Sequence, residues 1–191
     1  MKNIVVLLAD GFEEIEALTP VDYLRRAGDN VTLLAVKTSS VLVTSSHKVR
    51  VTADMMLDSY LDSIGNELPD AIVVPGGIPG SPNIASTPKA ISLLNEMFEK
   101  GKLVTAICAA PAVVLGAKTK ILEGKKWTCY PNMQNNAPDY ENNHVDQPFV
   151  VSGNVITSRG AGAAEQFAME IIRYLHDDET VEKIKKATVQ R

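Results

Sequence analysis

Short runs of apolar residues alternate along the chain with longer segments in which apolar positions recur every three to four residues. The apolar runs have the length of strands that are buried on both faces of a sheet, and the longer segments have the spacing of amphipathic helices. This alternation is typical of stacked βαβ units around a parallel sheet. The predicted strands are residues 4–9, 31–36, 71–74 and 103–107, and the predicted helices are residues 14–27, 88–100, 163–176 and 179–187.

Shorter apolar runs predict two β-hairpins, one from residues 41–43 and 49–51 and one from residues 149–151 and 155–157. The asparagine-rich segment 132–143 predicts a surface loop. No repeat, linker or low-complexity tract interrupts the pattern. The chain is therefore expected to form one doubly wound α/β domain over residues 1–191.

The composition fits such a domain. With 191 residues, 45% of them hydrophobic and 22% charged, the chain lies near the globular average, which excludes collagen-like, coiled-coil and disordered classes. A net charge of -4 without a basic block disfavours nucleic acid or an anionic membrane as a partner. The two cysteines suit a reducing compartment, and the first apolar run is too short for a signal peptide or membrane span, so we expect a cytoplasmic protein.

Three predicted strand ends carry unusual residues, in segments 10–16, 75–80 and 108–111. In open α/β sheets, ligands bind at the carboxyl ends of the strands. We therefore expect these segments to converge on one site.

Cys108 is the leading candidate for a nucleophile. It directly follows the strand 103–107, and Pro111 suits the first turn of a helix, so Cys108 is expected in the tight strand-to-helix turn of a nucleophile elbow. Backbone N–H groups and the helix end would favour the thiolate and lower the pKa of this thiol. The alternative is a small buried hydrophobic residue.

Glu16 is the second candidate, as one of three glutamates at the start of the first predicted helix. Carboxylates are ordinary there because they complement the helix dipole. Ile15 and Leu18 are expected to face the core, however, so the three glutamates cannot all reach solvent equally. A glutamate beside Cys108 would have a raised pKa and would stay protonated.

The pair Gly76-Gly77 is the third candidate, because two glycines after a buried strand expose backbone N–H groups that suit an oxyanion hole; the alternative is a tight turn. No dinucleotide or Walker motif is complete, so no cofactor is expected. The three histidines and two cysteines show no metal-ligand spacing, so no metal is expected either. Cys129, with no helix start after it, is interpreted as structural.

Six motifs are together more specific than any one of them. They are Asp10-Gly11-Phe12-Glu13-Glu14-Ile15-Glu16, Pro20-Val21-Asp22, Arg25-Arg26-Ala27-Gly28, Val74-Pro75-Gly76-Gly77, Ala106-Ile107-Cys108-Ala109-Ala110-Pro111 and Thr157-Ser158-Arg159-Gly160. By these motifs the chain resembles the ThiJ/PfpI superfamily, in the branch of the parkinsonism-associated protein deglycase and bacterial YajL-type proteins. The resemblance covers nearly the whole chain. It implies a flavodoxin-like three-layer α/β sandwich, with a mostly parallel central sheet and helices on both faces, that usually forms a homodimer.

The resemblance also implies roles for single residues. Cys108 would be the reactive cysteine, Glu16 the glutamate that hydrogen-bonds it, and Gly77 and Ala109 the donors of backbone N–H groups to an oxyanion. Residues of the pocket rim or dimer contact would be Arg26, Ser158, Arg159, Tyr130 and His47. The last two differ from the eukaryotic branch, which has a histidine in place of Tyr130 and an arginine in place of His47.

The implied activity is that of a cysteine-dependent, cofactor-free glyoxalase and protein deglycase. Its substrates would be α-oxoaldehydes such as methylglyoxal and glycated protein side chains, and an oxidative-stress response would act through Cys108. The alternatives are a redox-sensing chaperone or binding protein without turnover and a small-metabolite hydrolase. Ala109 stands where the protease-like branch has a histidine, which disfavours a Cys–His peptidase.

Overall fold

The regular elements follow one another in the alternating order that the apolar pattern predicts. The computed structural model describes residues 1–65 and 67–190; Asn66 and Arg191, which the single-domain prediction includes, lie outside the described residues. The strands are β1 (Asn3–Leu8), β2 (Asn30–Ala35), β3 (Leu42–Thr44), β4 (Arg50–Thr52), β5 (Met55–Met56), β6 (Ala71–Val74), β7 (Leu103–Ile107), β8 (Phe149–Ser152) and β9 (Val155–Ser158). The α-helices are α1 (Glu14–Arg26), α2 (Leu57–Ile64), α3 (Gly80–Ala85), α4 (Pro88–Glu99), α5 (Ala164–Leu175) and α6 (Asp178–Ala187).

Within the described residues, seven strands form one sheet in the order β5-β2-β1-β6-β7-β9-β8. All neighbours in it are parallel except the edge pair β8–β9. The run β2-β1-β6-β7-β9 has the flavodoxin-like strand order. The predicted fold class, a mostly parallel sheet between helical layers, is confirmed.

Strand β1 shows why the sheet is buried on both faces. Its alternate residues Ile4, Val6 and Leu8 pack into the core shared with α1, α5 and α6, whereas Val5 and Leu7 pack into the core shared with α3 and α4. All five side chains are at most 1% exposed. A continuous apolar run is therefore required here, because both faces of the strand exclude water.

The long elements match their predicted positions, but several short ones differ. The hairpin β3–β4 pairs Leu42–Thr44 with Arg50–Thr52, one residue further along than predicted. Segment 132–143 contains two 3₁₀ turns, Met133–Asn136 and Pro138–Asn143, rather than irregular loop alone. Helices α2 and α3 were not predicted: α2 has no side-chain N-cap, and α3 contains glycine and proline. Within residues 1–65 and 67–190, no helix is both long and apolar enough to cross a membrane.

Asp29 ties the start of the chain to the end of α5. Its side chain is fully buried and accepts a hydrogen bond from the backbone N of Lys2 at 2.9 Å. Its two carboxylate oxygens also lie 2.9 and 3.0 Å from Nε2 of His176, which follows α5. Removing this carboxylate would leave the backbone N–H of Lys2 and the imidazole of His176 without their hydrogen-bond partner.

We predict that Asp29→Ala lowers the free energy of unfolding by about 3 kcal/mol, because it leaves the partly buried Lys2 N–H and His176 side chain without their partner. Urea unfolding at neutral pH measures this. The control is Asp22→Ala, which removes an Arg26 pair whose two side chains are about half exposed, and it should cost less than about 0.5 kcal/mol. Equal effects of the two substitutions would contradict the structural role of Asp29.

Candidate active site

The backbone of Cys108 is held in a strained conformation between two neighbouring segments. Cys108 follows β7 with a φ of 65°, in the left-handed region that non-glycine residues rarely adopt. Its N–H donates to the carbonyl oxygen of Ser158, at the end of β9, at 2.9 Å, and its own carbonyl accepts from Tyr130 N at 2.8 Å. A π-helical segment, Pro111–Gly116, continues the chain after the turn. The geometry is the sharp strand-to-helix turn that the sequence predicts.

The side chain of Glu16 reaches the thiol of Cys108 from α1. Glu16 is 1% exposed, and its Oε2 accepts a hydrogen bond from Gly76 N at 2.9 Å. It also hydrogen-bonds the Cys108 side chain and accepts from the backbone N–H of Ala161. Burial raises the pKa of Glu16 to about 7, and these hydrogen bonds only partly oppose that rise.

The pKa of the Cys108 thiol is raised as well. Burial and then the negative charge of Glu16 raise its pKa to about 12, while the N–H groups of Ala109 and Gly77 work in the opposite direction. The prediction that the helix start lowers this pKa is therefore wrong, because burial and the neighbouring carboxylate outweigh the two donors. Ionisation of either group opposes ionisation of the other, so the pair retains one shared proton above neutral pH.

Gly76 leaves the space in which this pair meets. A Cβ at position 76 would lie 2.5 Å from Oε2 of Glu16 and 2.6 Å from Cβ of Cys108, closer than real Cβ contacts allow. Gly77 has a φ of 91°, and a Cβ there would lie 2.5 Å from the backbone N of Glu13. The double glycine thus forms a tight turn and a close approach, and the oxyanion role of Gly77 stays a prediction.

The orientation of α1 corrects one prediction. Ile15 was expected to face the core, but it is 51% exposed, while Glu16 takes the buried position. The cause is the start of the helix: Glu13 N donates to Gly76 O at 3.1 Å, and Gly76 N donates back to Glu16. These long-range contacts decide which face of α1 is buried, and periodicity alone does not show them.

A cavity of about 500 Å³ opens beside the pair. The cavity adjoins the pair at Gly160, where a Cβ would lie 3.5 Å from the ring of Tyr130 and 3.9 Å from Oε1 of Glu16. Arg159 faces this cavity and forms a 3.1 Å ion pair with the exposed Asp146. The lining residues are Tyr130, Pro131, Pro148, Arg159, Gly160, Ala161, Gly162, Ala163 and Gln166. Of these lining residues, the sequence analysis predicted Tyr130 and Arg159 as site residues. The motif that contains Ser158 was the signal that could have pointed to the adjoining residues 160–163.

Three of the predicted site residues do not line this cavity. Arg26 is at the far end of α1, about 15 Å along the helix axis from Glu16, and pairs with Asp22 at 2.7 Å. Ser158 lies behind Cys108, and its hydroxyl donates to Pro148 O. His47, in the turn between β3 and β4, contacts the first turn of α1 instead of the cavity.

His47 brings together a group that chain spacing did not reveal. Its Nδ1 lies 3.3 Å from Glu13 and 3.1 Å from Glu14, and these carboxylates raise the pKa of the imidazole. The ligand atoms of the three residues lie within 4.8 Å of one another, a spacing that could hold a metal ion. The start of α1, whose helix dipole is positive there, disfavours a cation at this point.

Cys129 occupies a different environment from Cys108. It is 3% exposed, packs into the core on the α4 side of the sheet, and lies 3.7 Å from Nε2 of His144. Burial raises the pKa of its thiol to about 12. Cys108, by contrast, packs against the core on the α1 side. Both thiols are free, and the structural interpretation of Cys129 fits its burial.

We predict that Glu16→Gln lowers the pH midpoint of Cys108 alkylation by about one unit or more, because the negative charge that raises the thiol pKa is gone. The rate of iodoacetamide labelling across pH 6–11, followed by mass spectrometry, reports the thiolate fraction, which rises about tenfold at a given pH for each unit that the midpoint falls. Glu14→Gln, which removes a carboxylate from the same helical turn, should leave the midpoint in place. A midpoint unchanged in Glu16→Gln would remove Glu16 from the control of the thiol.

Comparison with known proteins places this geometry in a family. The chain matches the DJ-1/PfpI family over residues 2–174. It is 36% identical over 190 residues to Protein dj-1beta of Drosophila melanogaster, covering 97% of this chain and 95% of that protein. It is 38% identical over 187 residues to Protein DJ-1 homolog B of Arabidopsis thaliana, covering 98% of this chain but only 41% of that longer protein.

Solved structures and names of further relatives agree with this match. The structure of oxidized Toxoplasma gondii DJ-1 superposes with a TM-score of 0.90 at 33% identity, covering 99% of this chain and 98% of that one. A relative in Caenorhabditis elegans, 30% identical over 96% of this chain and 93% of its own, is named a glutathione-independent glyoxalase. One in Pyrococcus abyssi, 28% identical over 91% of this chain and 99% of its own, is named a deglycase. The chain belongs to the DJ-1/PfpI family.

Proposed function

We propose that the protein is a cysteine-dependent, cofactor-free glyoxalase and deglycase that acts on α-oxoaldehydes such as methylglyoxal and on their early adducts with protein side chains. The observation that carries this proposal is the Cys108–Glu16 pair, whose thiol accepts the backbone N–H groups of Gly77 and Ala109 beside an open cavity. Relatives named for glyoxalase and deglycase activity support the same reaction class.

In the first step, Sγ of Cys108 attacks the aldehyde carbon of methylglyoxal, and a C–S bond replaces the C=O π bond. The N–H groups of Gly77 and Ala109 donate hydrogen bonds to the negative charge that develops on the aldehyde oxygen, as in an oxyanion hole. The proton of the pair protonates this oxygen, which gives a hemithioacetal and leaves Glu16 as a carboxylate.

In the second step, Glu16 removes the proton from the former aldehyde carbon, giving an enediolate, and returns it to the adjacent carbon, while the hydroxyl proton passes from the first oxygen to the second. A pKa of about 7 suits a group that must both accept and donate a proton near neutral pH. The product is a thioester of lactate on Cys108. The first carbon is oxidised and the second is reduced, so the electrons balance within the substrate.

In the third step, water attacks the thioester, the C–S bond breaks, and lactate leaves while Cys108 regains its proton. The cavity admits this water because it is open to solvent on the Tyr130 side, where Tyr130 is 53% exposed. The same chemistry applies to an early adduct, once its reversible carbon–sulfur or carbon–nitrogen bond releases the aldehyde to Cys108.

We predict that the reduced protein forms lactate from methylglyoxal without glutathione, as measured by enzymatic assay of D- and L-lactate. Cys108→Ser should lower kcat by at least about a thousandfold, because the nucleophile is lost. Glu16→Gln should lower it by about a hundredfold or more, because proton transfer is lost.

The matched control is Cys129→Ser, which removes the other thiol from the core and should keep kcat within about threefold. Absence of lactate from freshly reduced protein would overturn the proposed activity. Loss of activity in Cys129→Ser but not in Cys108→Ser would show that the nucleophile is Cys129 and not Cys108.

Oxidation of Cys108 is a second candidate function, favoured by the donors around the thiol. Sulfinate oxygens on Sγ would meet the N–H groups of Gly77 and Ala109 and a protonated Glu16. Peroxide would supply each oxygen and be reduced to water. A gain of two oxygen atoms at Cys108 with two equivalents of peroxide, without lactate formation, would favour this sensing role. Two free cysteines suit the reducing cytoplasm, which we propose as the location.

We also propose a homodimer, formed through the exposed apolar residues at the start of α1. Ile15 and Val49 are 51% and 45% exposed, and both line a shallow depression with Leu18. We predict a dimeric mass by light scattering at micromolar concentration, and a monomeric mass for Val49→Lys, because a charge buried in an apolar interface is unfavourable. A monomeric wild type would contradict the proposal.

A further inference from the structure

The cavity beside Cys108 is larger than the simplest substrate requires. Methylglyoxal has five heavy atoms, which occupy about 150 Å³ if each takes the volume of one water molecule. The cavity measures about 500 Å³, within the range of sites that hold drug-sized ligands. Most of it therefore remains empty around methylglyoxal.

The cavity walls combine one apolar side with one cation. Tyr130, Pro131 and Pro148 supply apolar and aromatic surface, and Arg159 is the only cationic side chain among the described residues that line the cavity. The guanidinium contacts Asp146 at 3.1 Å, but Asp146 is 80% exposed and Arg159 is 39% exposed. An ion pair with such exposure holds its partners weakly, so a ligand carboxylate can displace Asp146.

The backbone connects Arg159 directly to the nucleophile. Ser158, whose carbonyl accepts from Cys108 N, immediately precedes Arg159, and Gly160, next in the chain, separates Tyr130 from Glu16. A substrate held at Sγ of Cys108 would thus extend past Gly160 along the Tyr130 wall toward the guanidinium.

We propose that Arg159 is a specificity-determining residue that selects α-oxoaldehydes whose substituent is larger than methyl and carries a carboxylate. The planar guanidinium can bind the carboxylate with two hydrogen bonds, and the Tyr130 wall packs against the substituent. This inference rests on the proposed glyoxalase function and adds to it the class of substrate.

The first test compares phenylglyoxal with para-carboxyphenylglyoxal, which differ only by the carboxylate. Wild type should have the higher kcat/KM for the carboxylated compound, and Arg159→Gln should lower the ratio of the two values about tenfold, through KM. Asp146→Asn should raise the ratio, because the competing carboxylate is gone. Arg173→Gln, which removes another paired guanidinium from the far end of α5, should leave the ratio within about twofold.

The second test does not depend on turnover. Phenacyl bromide and its para-carboxyl derivative alkylate Sγ of Cys108 with loss of bromide, and the ratio of their rates measures the same charge preference. Arg159→Gln should lower this ratio and Asp146→Asn should raise it.

The two tests separate the inference from the proposed function. Charge-selective alkylation without aldehyde turnover would overturn the glyoxalase and leave the carboxylate site standing. Turnover with identical ratios in wild type, Arg159→Gln and Asp146→Asn would overturn the specificity role of Arg159. Asp146 is exposed, so its variant keeps the test valid if Arg159→Gln does not fold.

Discussion

A buried carboxyl and a partly buried thiol that share one proton form the contact on which the rest of this structure depends. Burying both groups is unfavourable unless each finds hydrogen bonds, and the fold supplies them from several segments. Gly76 and Ala161 donate to Glu16, and Gly77 and Ala109 donate to Cys108. These donors come from the ends of β6, β7 and β9, which explains why the site lies where parallel strands end together.

Much of the fold follows from the sequence because it depends on local pattern. The apolar run 4–9, whose six residues are all buried, predicts strand β1, and Pro111 predicts the helical segment after Cys108. The sequence does not reveal that Glu16, and not Ile15, lies on the buried face of α1, because hydrogen bonds to Gly76, sixty residues away, decide which face is buried. The prediction of a lowered pKa for the Cys108 thiol is wrong for a related reason. The position of Cys108 in its motif reveals the backbone N–H donors around the thiol but not how deeply the thiol is buried. The ion pair between Arg159 and Asp146 likewise joins segments whose spacing carries no signal.

The glyoxalase and the redox sensor place different demands on one constellation. Turnover needs the carboxyl to move a proton repeatedly, whereas a sensor needs it to stay protonated against an oxidised sulfur. A pKa near 7 for Glu16 allows both, so the surroundings of the pair discriminate between them more than the pair does. The apolar wall and the cation of the neighbouring cavity are features that a peroxide sensor would not need.

The left-handed backbone of Cys108 has a consequence for how the molecule evolves. A φ of 65° costs a non-glycine residue on the order of 1 kcal/mol, and hydrogen bonds to Ser158 and Tyr130 fix that conformation whatever the side chain is. Glycine at position 108 would relieve this strain. Selection for stability alone would therefore tend to remove the cysteine, and the persistence of the thiol in a lineage would itself be a sign that its chemistry is under selection.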